Sequence, residues 1–211
     1  MEQAWSLWSD LKKKSKEWRL QENRSEYPTL LLTDTQSTKN SDWSGEELTG
    51  YDGGKKVKGI KKSITVDTTG FPPDPDFIQI ETANTSEKLM CSNGFTAVQN
   101  NDRALIKNIQ KNVVDGGYNG VDWAQSMQDE FNIEIEITKR TDIANGVVSK
   151  IRWISERSFA WLDKCRRLAK NYEGTSRSVK SMIVLCFIRL LCRRLTGECT
   201  LKWIKKSELE I

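Results

Sequence analysis

The order of the secondary-structure signals constrains this chain more than any other feature. Three strand-like segments come first: Leu30-Leu31-Leu32-Thr33, Gly59 to Val66, and Phe77 to Glu81. Strands and helices then alternate. Asp102 to Lys111 has helical spacing, and Val113-Val114 reads as a short strand. Residues 121–131 suit a helix, and Ile133, Ile135 and Ile137 alternate with Glu134 and Glu136 as strand residues do. Residues 150–170 and 177–195 read as two longer helices. The Ser/Thr/Asn/Gly-rich stretch 35–54 and the polar stretch around 84–94 read as loops. Residues 1–25 read as an amphipathic helix, with Trp5, Trp8, Leu11 and Trp18 near one face. Strands followed by alternating elements predict an α/β chain, a mixed sheet with helices packed on it.

The residue inventory narrows the chemistry. The 211 residues contain no histidine. That excludes Ser-His-Asp triads, Cys-His dyads, most catalytic zinc sites and haem ligation by histidine. The five cysteines are odd in number and form no CxxC pair, so they read as reduced, mostly buried thiols. No apolar run reaches the roughly 18 residues of a membrane span, and the N-terminus has no basic-then-apolar signal segment. The expected location is the cytoplasm. The net charge of +4 is unevenly spread: residues 141–211 hold 15 Lys+Arg against 7 Asp+Glu, and residues 1–140 hold 18 against 22. The basic C-terminal part suggests a polyanionic partner.

What remains for chemistry is carboxylates, and three stand out. Asp34 follows Leu30-Leu31-Leu32-Thr33, and Asp115 follows Val113-Val114 with Gly116-Gly117 behind it, where the backbone can turn sharply. Glu156 lies on the 150–170 helix, in a stripe with Arg152, Asp163 and Arg167 that faces away from Ile154, Ser158, Trp161, Cys165 and Leu168. Carboxylates at strand ends suit Mg²⁺, which takes oxygen ligands and keeps waters or substrate phosphates in its shell. The plainer reading of each residue is a turn aspartate or a solvated helix glutamate. Asp67, which also ends a strand, competes for the same role.

Four blocks occur in one order. They are Leu31-Leu-Thr-Asp34-Thr-Gln-Ser37; Gly50-Tyr-Asp-Gly-Gly-Lys-Lys-Val-Lys-Gly59 with Ile64-Thr-Val-Asp67-Thr-Thr-Gly70; Val114-Asp115-Gly-Gly-Tyr118; and Arg152-Trp-Ile-Ser-Glu156-Arg-Ser-Phe-Ala-Trp161-Leu162 with Arg166-Arg167-Leu168. Together they resemble the catalytic domain of bacterial insertion-sequence DDE transposases over about residues 28–195. The element order is that of the same superfamily's ribonuclease-H-like fold, a mixed β-sheet flanked by α-helices. The resemblance implies three parts: residues 1–27 as an N-terminal helix, remnant or linker; 28–197 as the catalytic domain; 198–211 as a C-terminal tail. It makes Asp34, Asp115 and Glu156 the catalytic, metal-binding triad. It implies Mg²⁺, with Mn²⁺ as a substitute, hydrolysis at the element's ends and strand transfer into target DNA. Double-stranded DNA is the implied partner, with a homodimer on DNA, an upstream-frame DNA-recognition polypeptide and a nucleoid-associated, membrane-free location. Several positions depart from the family pattern: Lys62-Ser63 stand where a basic residue and a histidine are usual, Pro72–Pro75 and the 82–99 stretch fit it poorly, Ser149 stands where Tyr is expected and Asp163 where Lys is expected.

The basic groups have matching roles. Lys55, Lys56, Lys58, Lys61 and Lys62 are candidate phosphate contacts, as are Arg152, Arg157, Lys164, Arg166 and Arg167. Arg152 stands one helical turn before Glu156, where it can pair with that carboxylate or clamp a phosphate. Trp153, Phe159 and Trp161 could stack on bases, though aromatics at such spacing are more often core. Two other functional classes stay open on the sequence: a non-catalytic DNA-binding remnant, and a different ribonuclease-H-like nuclease.

Overall fold

The computed structural model describes residues 2–118, 120–138 and 147–197. Helix α1 (Glu2–Gln21) precedes strands β1 (Leu30–Lys39), β2 (Gly50–Asp52), β3 (Val57–Asp67) and β4 (Ile78–Thr82). Helices α2 (Glu87–Asn101) and α3 (Arg103–Asn108) lead into β5 (Lys111–Asp115), α4 (Val121–Phe131) and β6 (Glu134–Thr138). Helices α5 (Val147–Asp163) and α6 (Ser176–Leu195) follow.

The six strands form one mixed sheet in the order β2-β3-β1-β5-β6, with β4 also paired to β3. β1 is antiparallel to β3 on one side and parallel to β5 on the other. β5 and β6 are parallel. This is the expected ribonuclease-H-like arrangement, with helices on both faces.

The apolar run of β1 serves both faces at once. Successive strand side chains point to opposite sides. Leu31 therefore joins Phe77, Phe95, Val98, Ile106, Val114 and Phe131 under α2, α3 and α4. Leu32 joins Leu11, Ile60, Ile64, Leu162, Ile183 and Phe187 under α1, α5 and α6. A strand buried on both faces reads as continuous hydrophobicity, not as alternation.

Helix α1, expected as a remnant or linker, packs along α6 and buries Leu11 completely. Its Arg19 forms a buried ion pair with Asp67 at the end of β3. Asp67 also accepts from the backbone and hydroxyl of Thr69, so it closes the Asp67-Thr-Thr-Gly turn and has no cleft role. Gly70 completes that turn at φ +88°, where a side chain would meet Arg157, Ser158 and Trp161.

Three expectations are corrected. β1 does not stop at Asp34; it runs to Lys39 because β3 pairs with it as far as Lys39 opposite Gly59. The polar stretch around 84–94 is not a loop but the first half of α2, which buries Met90, Cys91, Gly94, Phe95 and Val98. The helix expected over 150–170 ends at Asp163. Tight turns follow, with the Cys165 N–H donating to Leu162 O and the Leu168 N–H to Cys165 O. These turns put the Cys165 sulfur 2.6 Å from that of Cys186 on α6. Cys91, Cys165, Cys186 and Cys192 are free thiols. Cys199 and the tail 198–211 lie outside the described residues. Among the described residues no helix is long and apolar enough to cross a membrane.

Candidate active site

The parallel pairing of β1 with β5 sets the site. Leu32 stands opposite Val113 and Thr33 opposite Val114. Asp34 and Asp115 come next on the two strands, so they share a level and a face. β5 ends there, and β1 continues along β3 alone. Thr33 and Asn112 beneath them are buried and bonded to each other at 3.0 Å, which locks the register. Helix α5 crosses the same end of the sheet. A small cleft results, lined by Asp34, Asp115, Thr138, Arg152, Ser155 and Glu156.

The three expected carboxylates thus meet in one cleft, from β1, β5 and α5. Their oxygens are not drawn into a cage: among the described residues no three carboxylates or thiols converge as a ready metal site. The Glu156 side chain is 60% exposed and leans toward Arg152, 3.8 Å away. Burial, more than anything else, pushes the Asp34 carboxyl up to about 6; the charges of Asp115 and Glu87 add to the rise, and the Thr35 N–H opposes it. The Asp115 carboxylate is held by the Gly117 N–H at 2.9 Å. Acidic groups that repel each other across a cleft of oxygen donors have the chemistry of a site for a hard divalent cation.

The sequence profile of the transposase DDE domain family matches residues 15–192, most of the chain. The chain belongs to that family. No curated protein and no solved structure matches it. Family membership makes DNA the partner in general terms, and the family as a whole uses divalent metals.

The basic groups of this transposase domain divide into two sets. Lys55, Lys56 and Lys58, in the turn between β2 and β3 and at the start of β3, are exposed, as are Lys164, Arg166 and Arg167 past α5. Arg167 is paired with Glu173 at 3.0 Å. Lys61 and Lys62, expected as phosphate contacts, are instead buried. Their stems lie in the β3 pairing, and their amines serve the protein: Lys61 donates to Thr85 O and Lys62 to Leu168 O, each at 2.8 Å. Burial lowers the Lys62 amine to about 8. Arg157 is likewise turned inward. It lies over the rings of Trp153 and Trp161 at 4.7 and 4.8 Å and donates to Thr69 O. Phe159 and Trp161 are core, whereas Trp153 is 45% exposed.

Glu87, a further acidic residue near Asp34, is not among the candidates the sequence offered. It opens α2, and its Oε1 accepts from Thr35 Oγ1 at 2.7 Å, next to Asp34. Lys55 and Lys61 lie 3.8 and 4.0 Å from it. The available signal was Ser86-Glu87 ahead of apolar residues at helical spacing, a helix start hidden by Asn93-Gly94.

Proposed function

We propose that this domain cleaves DNA at the ends of an insertion sequence and joins the freed 3′-hydroxyl to target DNA, with Asp34, Asp115 and Glu156 as the acidic triad. The observation that supports this reading best is the shared cleft: one carboxylate from each of two adjacent parallel strands and one from the helix that crosses them. Mg²⁺ is the proposed cation, held by those three residues; when bound, it would activate the attacking oxygen and neutralise the leaving one. The chain's own part is positioning and charge. β1 and β5 hold the two aspartates at one level, and α5 presents Glu156 at the mouth. Arg152, half-exposed and beside Glu156, clamps a phosphate oxygen at the mouth. Lys55, Lys56 and Lys58 on one side, and Lys164, Arg166 and Arg167 on the other, carry the flanking DNA through its phosphates. An in-line displacement needs this alignment and charge neutralisation more than proton transfer, which suits a chain without histidine.

The test is cleavage of duplex DNA carrying the sequences that flank the gene, with Mg²⁺ and with Mn²⁺. Asp34→Ala, Asp115→Ala and Glu156→Ala should each abolish cutting while far-ultraviolet circular dichroism is unchanged. Cutting retained by one variant removes that residue from the triad. Salt-sensitive DNA binding with no cleavage under either metal would identify a non-catalytic remnant. Cutting of RNA–DNA hybrid without end preference would identify a different nuclease.

A further inference from the structure

We propose that Glu87 is a fourth acidic residue of the site, and that its carboxylate and that of Asp115 hold one divalent cation between them across the space left open at Gly117. The proposal rests on the reading of the cleft as a divalent-cation site and adds a residue to it. Glu87 Oε2 and Asp115 Oδ1 each lie 3.0 Å from the point a Cβ would occupy on Gly117. The two oxygens are therefore at most 6.0 Å apart, with no side chain of Gly117 between them. Gly117 is not at a positive φ, so a side chain there is disfavoured by its crowding against the two carboxylate oxygens and not by the backbone.

A second observation points to a missing ligand. Tyr118 is completely buried, and its hydroxyl has no hydrogen-bond partner among the described residues. Cys91, Glu87, Asp34 and Asp115 all lie within electrostatic reach of that hydroxyl. A buried donor beside carboxylates and without a partner is what a water in a cation's shell would satisfy. Thr35 fixes Glu87 through Oε1 and leaves Oε2, the oxygen nearest the space, without that bond. Lys55 and Lys61 lie near Oε1. Two carboxylates are enough for Mg²⁺, which keeps several waters of its own.

The experiment is Mn²⁺ titration of the full chain by calorimetry, with thermal unfolding of each variant as the fold control. Glu87→Gln keeps the acceptor for Thr35 and removes the charge. It should weaken Mn²⁺ binding by about tenfold or more. Gly117→Ala keeps every carboxylate and fills the space, and should weaken binding similarly. Unaltered binding in Gly117→Ala overturns the proposal, as does unaltered binding in a folded Glu87→Gln. If Asp34→Asn and Asp115→Asn lose Mn²⁺ while those two variants keep it, the cleft reading stands and the role of Glu87 falls. If the wild-type chain takes up no Mn²⁺, the cleft reading falls first and this proposal with it.

Discussion

Asp34 and Asp115 stand at the same level on neighbouring parallel strands, one residue beyond the paired Thr33 and Val114. Burial disfavours ionisation of Asp34, and the like charge of Asp115 on the same face of the sheet adds to this. Asp34, pushed up to about 6, binds its proton more tightly in the fold than in the unfolded chain, where its value is 3.8. Between those values the native state holds more protons than the unfolded state, so stability falls as pH rises from about 4 to 6. In cation-free buffer Asp34→Asn should flatten that fall. It should also stabilise the domain at pH 7 by roughly 2–3 kcal/mol. Urea unfolding across pH 4 to 7 checks this.

Lys62 reverses the sign. Burial lowers its amine from 10.5 to about 8, so between these values the unfolded state holds the extra proton. Stability should rise with pH across that window and be lowest below about 8. Lys62→Met removes a cost of about 3 kcal/mol at pH 7 and leaves Leu168 O without its donor, a loss of about 1 kcal/mol. The expected net is a gain of about 2 kcal/mol at pH 7, and no rise between pH 8 and 10, measured by denaturant unfolding.

The lysines of the β2–β3 turn and of the start of β3 should act on DNA additively. Replacing Lys55, Lys56 and Lys58 together by Gln should lower affinity for any duplex sequence. It should also flatten the slope of log affinity against log salt by about 2–3. Fluorescence anisotropy at several salt concentrations checks this. An unchanged slope would place the DNA on another face.

Arg19 and Asp67 join α1 to the turn after β3. Arg19→Met leaves the Asp67 charge buried with only the Thr69 and Phe71 donors. Breaking one side of a buried pair should cost about 3–5 kcal/mol. A loss below about 1 kcal/mol in thermal or denaturant unfolding would show that α1 contributes little to the fold.

Much of this was legible locally. The 121–131 helix and the Ile133–Ile137 strand follow directly from residue period, and the absence of histidine restricts the chemistry whatever the fold. The misread elements share one cause: their partners are distant in sequence. Thr35 to Lys39 look like loop residues until β3 pairs with them. Met90, Cys91, Phe95 and Val98 look irregular until Gly94 is seen to face Asp76 O, 3.4 Å from where its Cβ would stand. Lys61 and Lys62 look like a surface run because charge is expected outside. Only their cross-strand neighbours and the carbonyls of Thr85 and Leu168 explain their burial.

By itself the sequence determined the α/β class, strands β1, β3 and β4 ahead of alternating helices and strands, and the exclusion of histidine chemistry; β2 and α2 were not legible in it. What was legible depends on periodicity and residue type, which are local. Tertiary structure alone decided that Glu87 and Asp115 both border Gly117, that two of the five clustered lysines are internal, and that Glu156 shares a cleft with Asp34 and Asp115 while paired with Arg152. Each of these is a distance between groups far apart in the chain, set by strand register and helix crossing.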